Sequence, residues 1–141
     1  VLVVDYPPEE CADFAASVSL GGIDPIFLLS PTSSTERIEK VAQLARGYIY
    51  YVSLKGVTGA AHIDMAEVQS MVARIKARTD LPVGVGFGIR DGETAKRVAA
   101  CADAVVIGSR IVLEIELSPR EQLIENVRAL VTGFRTAMDR S

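Results

Sequence analysis

Short apolar runs alternate with amphipathic stretches along the whole chain. The apolar runs are rich in β-branched and aromatic residues, as in strands that are buried on both faces. The stretches between them repeat apolar residues every three or four positions, which predicts helices. Strict alternation of this kind predicts parallel strands joined by helical crossovers. The predicted strands are Val1–Asp5, Pro25–Leu29, Tyr48–Val52, Pro82–Val85 and Ala104–Ile107.

Capping residues mark the start of each predicted helix. A hydroxyl or carboxylate residue followed three positions later by Glu has the spacing of a capping box, and proline suits the first turn. A short helix is predicted over Ser109–Glu116, ahead of a longer amphipathic one. The predicted starts of the helices are Pro7, Ser33, Asp64, Asp91, Ser109 and Ser118.

Two consecutive strands end in glycine. Gly86 and Gly88 follow the fourth predicted strand, and Gly108 with Ser109 follows the fifth. Glycine lets a ligand approach main-chain N–H groups, and a helix that starts there directs unpaired N–H groups at an anion. These glycines either form a phosphate site, as the last two loops of an eight-stranded α/β barrel do, or only tighten the turns.

Composition and charge argue against several classes of protein. The 141 residues are 49% hydrophobic and 23% charged, with a net charge of −3 and no basic stripe, which argues against nucleic-acid binding. From its pattern of residues we expect neither a membrane-spanning helix nor a signal peptide. Cys11 and Cys101 lack metal-ligand spacing, which favours reduced cytoplasmic thiols and no bound metal. The chain begins in mid-strand without Met, so we expect the C-terminal portion of a longer protein.

Four sequence motifs of this chain, in their order and spacing, resemble those of one protein family. VLVVDYPPEE, SLKGVTGA, VGVGFGIRD and VVIGSRIV resemble the α subunit of tryptophan synthase, over essentially all 141 residues. The resemblance implies an α/β fold of the TIM (β/α)8 barrel type. This chain would supply about five strands and their helices, from barrel strand four onward. Residues 1–141 would then be a single domain that lacks the N-terminal strands of the barrel.

The resemblance also implies a lyase of tryptophan biosynthesis. The family splits indole-3-glycerol phosphate into indole and glyceraldehyde 3-phosphate by retro-aldol cleavage. Its α subunit has no cofactor and passes indole to a β subunit that carries pyridoxal phosphate. The expected assembly is a cytoplasmic, allosterically coupled heterotetramer.

Residue by residue, the resemblance assigns roles to several positions. Tyr50 matches a strand tyrosine beside the catalytic carboxylate, and Thr58 matches the loop threonine that orders the site on closure. Asp5 and Pro7 match positions near the intersubunit side. The expected phosphate-binding residues are Gly59, Gly88, Gly108 and Ser109.

Two departures from the family pattern affect the expected activity. The catalytic Glu and Asp of the family lie before Val1, and Leu54 stands where the family usually has Arg. Loss of a positioned acid or base commonly costs about 10² to 10⁴ in rate. We therefore expect this chain alone to be inactive or nearly so.

Two other functions remain open at this point. One is an isomerase or epimerase of a phosphorylated sugar on a similar barrel, which would need a base or a metal set that this sequence does not show. The other is a noncatalytic half-barrel that binds a phosphate or a partner protein. Such a half-barrel would expose two strand edges and should self-associate.

Overall fold

A parallel sheet lies at the centre of the fold. The computed structural model describes residues 1–4, 6–53, 63–86 and 88–139 of the chain. Its strands are parallel, as predicted, and their order is β1-β2-β3-β4, so each strand pairs with the next one along the sequence. The strands are β1 Phe27–Leu29, β2 Ile49–Val52, β3 Val83–Gly86 and β4 Ala104–Val106. The helices are α1 Ala12–Leu20, α2 Thr35–Leu44, α3 Met65–Lys76, α4 Gly92–Ala99, α5 Ser109–Leu117 and α6 Leu123–Asp139.

The first predicted strand forms only in part. Leu2 makes a single parallel bridge to Ile26, and the Ile26 N–H donates to Val1 O at 2.8 Å. Val3 and Val4 are exposed, and Asp5 lies outside the described residues. The expected five-residue strand is therefore reduced to a single bridge at Leu2.

Alternation along the strands places one face of the sheet against the helices. On β2, Ile49 and Tyr51 are fully buried, whereas Tyr50 and Val52 are only half-buried. Burying an aliphatic or aromatic side chain contributes roughly 1.5 to 3 kcal/mol. This layer is therefore the main source of stability. Its buried members include Phe27, Leu29, Ile38, Val41, Val68, Val72, Ile75, Val83, Val85, Ala95 and Val98.

Two of the predicted helix caps are confirmed. Asp64 Oδ1 accepts the N–H groups of Ala66 at 3.0 Å and Glu67 at 3.2 Å at the start of α3. Asp91 accepts from Thr94 N at 2.8 Å and from Thr94 Oγ1 at 2.9 Å at the start of α4. These caps fix where α3 and α4 begin.

The predicted cap of α2 is wrong by one residue. Ser34, and not Ser33, accepts the Arg37 N–H, at 3.2 Å. Ser33 is buried, and its Oγ accepts from Ser30 N at 3.0 Å. Because its hydroxyl closes the preceding turn, it is not available to the helix, and the next serine takes the capping position.

The last helix also begins later than predicted. Pro119 starts a turn that is closed by Gln122 N donating to Pro119 O at 2.9 Å, and α6 begins only at Leu123. Ser118 ends α5 instead, and its Oγ accepts from Asn126 Nδ2 at 3.0 Å. Ser118 thus anchors the side of α6 without capping its first turn.

Candidate functional site

The carboxyl ends of β3 and β4 lie side by side. Gly86 is in register with Val106, so the two strands leave the sheet at neighbouring points. Gly88 follows β3 with φ of +77°, a conformation that side chains with a Cβ rarely adopt. Ile89 is buried at 4% exposure and holds this turn against the core. The geometry of the turn therefore depends on glycine at position 88.

At the end of β4, Gly108 leads directly into α5. No side chain caps this helix, and Gly108 O accepts from Ile111 N at 2.9 Å and Val112 N at 3.1 Å. A Cβ placed on Gly108 would have no atom within 4 Å, so the main chain there is open to solvent. The first N–H groups of a helix have no acceptor within the helix, and they favour an anion. Ser109 supplies the first of them.

A hollow of about 650 Å³ opens beside this helix start. Gly108 and Ser109 line it together with two arginines, Arg90 and Arg110. Its remaining wall is mostly apolar. The other lining residues are Val112, Leu113 and Glu116.

Tyr50 belongs to β2, and its ring extends over Gly86 of the neighbouring strand β3. A Cβ on Gly86 would come within 2.7 Å of Tyr50 Cε2 and closer still to its hydroxyl oxygen, so Gly86 leaves the space that the phenol occupies. Burial raises the pKa of Tyr50, with a smaller contribution from Tyr48. The phenol is therefore protonated at neutral pH and can donate a hydrogen bond, but it cannot act as a base.

Tyr51 points to the opposite face of the sheet and packs in the hydrophobic core. It is fully buried, and burial together with the nearby Glu67 and Asp64 raises its pKa to about 12. Within the described part of the chain, its hydroxyl has no hydrogen-bond partner. Of the two adjacent tyrosines, only Tyr50 faces the side where a ligand could lie.

Ser53 is a candidate site residue that the sequence did not indicate. Its N–H and its hydroxyl both donate to Gly86 O, at 3.0 and 2.9 Å. These bonds tie the end of β2 to the end of β3. Its position directly after an apolar strand was the only signal available. A small hydroxyl residue at a strand end is too common to single out.

The other predicted site residues are distributed as follows. Pro7 is half-buried and lines a second hollow of about 600 Å³ with Tyr6, Pro8 and Arg37. Pro7 O accepts from Glu10 N at 3.0 Å. Thr58, Gly59 and Asp5 lie outside the described residues, as does Leu54.

The described residues contain neither a cluster of metal ligands nor a helix that could span a membrane. In ranges 1–4, 6–53, 63–86 and 88–139, no three His, Cys, Asp or Glu side chains form a group that could hold a metal ion. None of the helices in those ranges is both long and apolar enough to cross a membrane.

The chain is similar in sequence to a known family of enzymes. The family model described as tryptophan synthase alpha chain matches residues 1–139. The alpha chain of Azoarcus sp. (strain BH72) is 62% identical over 138 residues, which cover 98% of this chain and 51% of that protein. The chain belongs to the tryptophan synthase alpha chain family. The resemblance read from the motifs is thus confirmed.

Other family members support the assignment and the fold. The alpha chain of Janthinobacterium sp. (strain Marseille) is 60% identical over 98% of this chain. The crystal structure of tryptophan synthase subunit alpha from Legionella pneumophila str. Paris superposes with a TM-score of 0.83 at 34% identity, covering 99% of this chain and 52% of that one. The sheet is therefore part of a (β/α)8 barrel, as predicted. The chain spans about half the length of the relatives it matches.

Proposed function

We propose that this chain is the C-terminal half of a tryptophan synthase alpha chain. The complete barrel cleaves indole-3-glycerol phosphate to indole and glyceraldehyde 3-phosphate. The observation that carries the proposal is the match of residues 1–139 to the family, at 62% identity to one alpha chain. Family membership favours this lyase over the isomerase and over a noncatalytic half-barrel.

The phosphate of the substrate binds, in this proposal, at the ends of β3 and β4. Gly88 and Gly108 leave those adjacent strands, and Ser109 begins an uncapped helix there. Main-chain N–H groups at such a point favour a dianion. Gly59 and Thr58 belong to the same proposed site, as the residues that close over the phosphate.

In this proposal, the protonated phenol of Tyr50 lines the part of the site that holds the indole ring. Its raised pKa leaves a hydroxyl that can donate a hydrogen bond to the substrate. The proton transfers require positioned acids and bases. We assign them to the Glu and the Asp that the family carries before the position of Val1. The chain alone is therefore inactive in this proposal.

The remaining assignments concern the assembly. The alpha chain needs no cofactor of its own and works with a β subunit that holds pyridoxal phosphate. Asp5 and Pro7 face that subunit, and the complex is an allosteric heterotetramer of the cytoplasm. The half-buried position of Pro7 beside an open hollow is compatible with a contact of this kind.

Restoring a complete barrel tests the proposal. The part of the Azoarcus alpha chain that this chain does not match is placed before Val1, and indole release from indole-3-glycerol phosphate is measured. We expect the hybrid to turn over and the chain alone to be slower by at least about 10², the lower limit for loss of one acid or base. An inactive but folded hybrid would refute the proposal.

A pair of glycine variants locates the phosphate site in the hybrid. Gly88→Ala and Gly22→Ala both place a Cβ at positive φ, +77° and +73°, and both should cost about 1 kcal/mol of stability. Gly22 lies in the exposed turn after α1, far along the chain from β3. Only Gly88→Ala should raise KM for the substrate. An equal KM in the two variants would remove Gly88 from the site.

A further inference from the structure

We propose that Arg90 supplies the positive charge that binds the phosphate group of the substrate. This inference rests on the phosphate site proposed above and adds a side chain to a site otherwise built from main-chain amides. Arg90, Gly108 and Ser109 line the same hollow beside the start of α5. A guanidinium there would reach a phosphate held by the N–H groups of that helix.

The second arginine of the hollow is already neutralised. Arg110 Nη1 lies 2.8 Å from Glu114 Oε2, one helical turn further along α5, and both side chains are less than one-third exposed. An ion pair at this spacing is held by the helix itself. Arg110 therefore adds little net charge for an incoming anion.

Arg90 has no comparable partner. The adjacent carboxylate, Asp91, uses both of its oxygens on Thr94 to cap α4. Hydrogen bonds from Thr94 hold the pKa of Asp91 below its usual value. No ion pair of Arg90 is found among the described residues. Ile89 is buried at 4% exposure and fixes the chain immediately before Arg90, so the guanidinium extends from an anchored turn.

One carboxylate also lines the hollow and would repel an anion. Glu116 is seven residues after Ser109, which places it about 10 Å further along the axis of α5. Val112 and Leu113 lie between, and they are apolar and exposed. The positive charge and the free N–H groups thus lie toward the start of α5 and the negative charge toward its end. This order places the phosphate end of a ligand at the start of α5, away from Glu116.

Binding of inorganic phosphate to the 141-residue chain tests the role of Arg90. The chain is labelled with ¹⁵N, and the amide shifts of Gly108 and Ser109 are followed in dilute solution at constant ionic strength. Arg90→Gln should weaken phosphate affinity about threefold to tenfold, the size expected for one charge-assisted hydrogen bond near the surface. Arg90→Lys, which keeps the charge but not the forked geometry, should lose less.

Arg128→Gln is the matched control, because Arg128 is an exposed arginine of α6 that lines a different hollow. It removes the same charge and should leave phosphate affinity unchanged. If Arg90→Gln binds phosphate as tightly as the unaltered chain, the role of Arg90 is refuted while the phosphate site stands. If the unaltered chain shows no saturable shift at Gly108 and Ser109, the proposed phosphate site itself is refuted.

Discussion

Gly84 and Gly86 show how single residues shape the proposed site. Both are buried residues of β3, and each lies next to a tyrosine of the neighbouring chain segment. A Cβ on Gly84 would lie 3.5 Å from the ring of Tyr48, which is an ordinary contact. A Cβ on Gly86 would overlap the phenol of Tyr50. Only Gly86 is therefore required for the packing of its tyrosine.

We predict that Gly86→Ala destabilises the chain by about 1 to 3 kcal/mol, the usual cost of overpacking. Gly84→Ala should change stability by less than about 1 kcal/mol, because its new methyl group meets nothing closer than normal contact. Urea unfolding measures both. In a Tyr50→Ala background the cost of Gly86→Ala should fall, and an unchanged cost would show that the two residues do not interact.

Asp103 links three elements through one carboxylate. Its Oδ2 accepts from Val83 N at 2.8 Å at the start of β3, and its Oδ1 accepts from Lys76 Nζ at 2.9 Å at the end of α3. The bond from Val83 N and then that from Lys76 lower the pKa of Asp103. A lowered folded-state pKa stabilises the fold above the unfolded pKa, and this contribution is lost as pH falls through the folded value.

Asp103→Ala should therefore lower the free energy of unfolding by about 1 kcal/mol at neutral pH. The loss is expected to be small because the carboxylate is partly exposed to solvent. The difference from the unaltered chain should shrink below about pH 4 as the carboxylate is protonated. Urea unfolding from pH 7 to pH 3 checks both points. Asp80→Ala, which removes an exposed carboxylate just before β3, is the control. A pH-independent difference would contradict the role of the charge.

Among the elements, helix α4 depends on the residue that caps it. Asp91→Ala should destabilise the chain by about 1 kcal/mol, whereas Asp91→Asn should be nearly neutral because asparagine caps equally well. Thermal unfolding of the two variants at neutral pH gives the comparison. Equal losses in both would mean that the charge of Asp91, and not its cap, stabilises α4.

Most elements could be predicted from the sequence because local signals and burial agree there. The apolar run 48–52 is a strand that both periodicity and β propensity favour, and Asp64 and Asp91 cap as expected. Two of the errors, both at helix caps, arise where a side chain has a competing local partner. Ser33 bonds to Ser30 instead of capping α2, and Ser118 bonds to Asn126 instead of capping α6. No sequence pattern distinguishes these alternatives, since each uses the same hydroxyl.

The candidate site was only partly predictable for a related reason. The glycines that follow β3 and β4 are visible in the sequence, and their neighbouring positions follow from parallel strand order. Three contacts could not be read from the sequence, because they depend on the folded geometry. They are the ion pair of Arg110 with Glu114, the hydrogen bonds of Thr94 to Asp91 and the hydrogen bonds of Ser53 to Gly86. These contacts decide which arginine is left for an anion.

At the scale of the whole molecule, the exposed apolar residues bear on how the chain behaves alone. Val112, Leu117 and Ile124 are 62%, 72% and 71% exposed, and among the described residues β4 has a strand neighbour on one side only. Exposed strand edges and apolar patches promote association. We predict that the isolated chain self-associates with rising concentration and that the hybrid with the Azoarcus segment does so less. Sedimentation velocity over a concentration series tests this, and a chain that stays monomeric throughout would contradict it.

We propose above that the ends of β3 and β4 together bind one phosphate group. A crystal structure of the hybrid barrel with indole-3-propanol phosphate tests it most directly. We predict that oxygens of a single phosphate lie about 2.7 to 3.2 Å from the amide nitrogens of Gly88, Gly108 and Ser109. A phosphate bound elsewhere, or one that contacts none of these amides, would contradict the account.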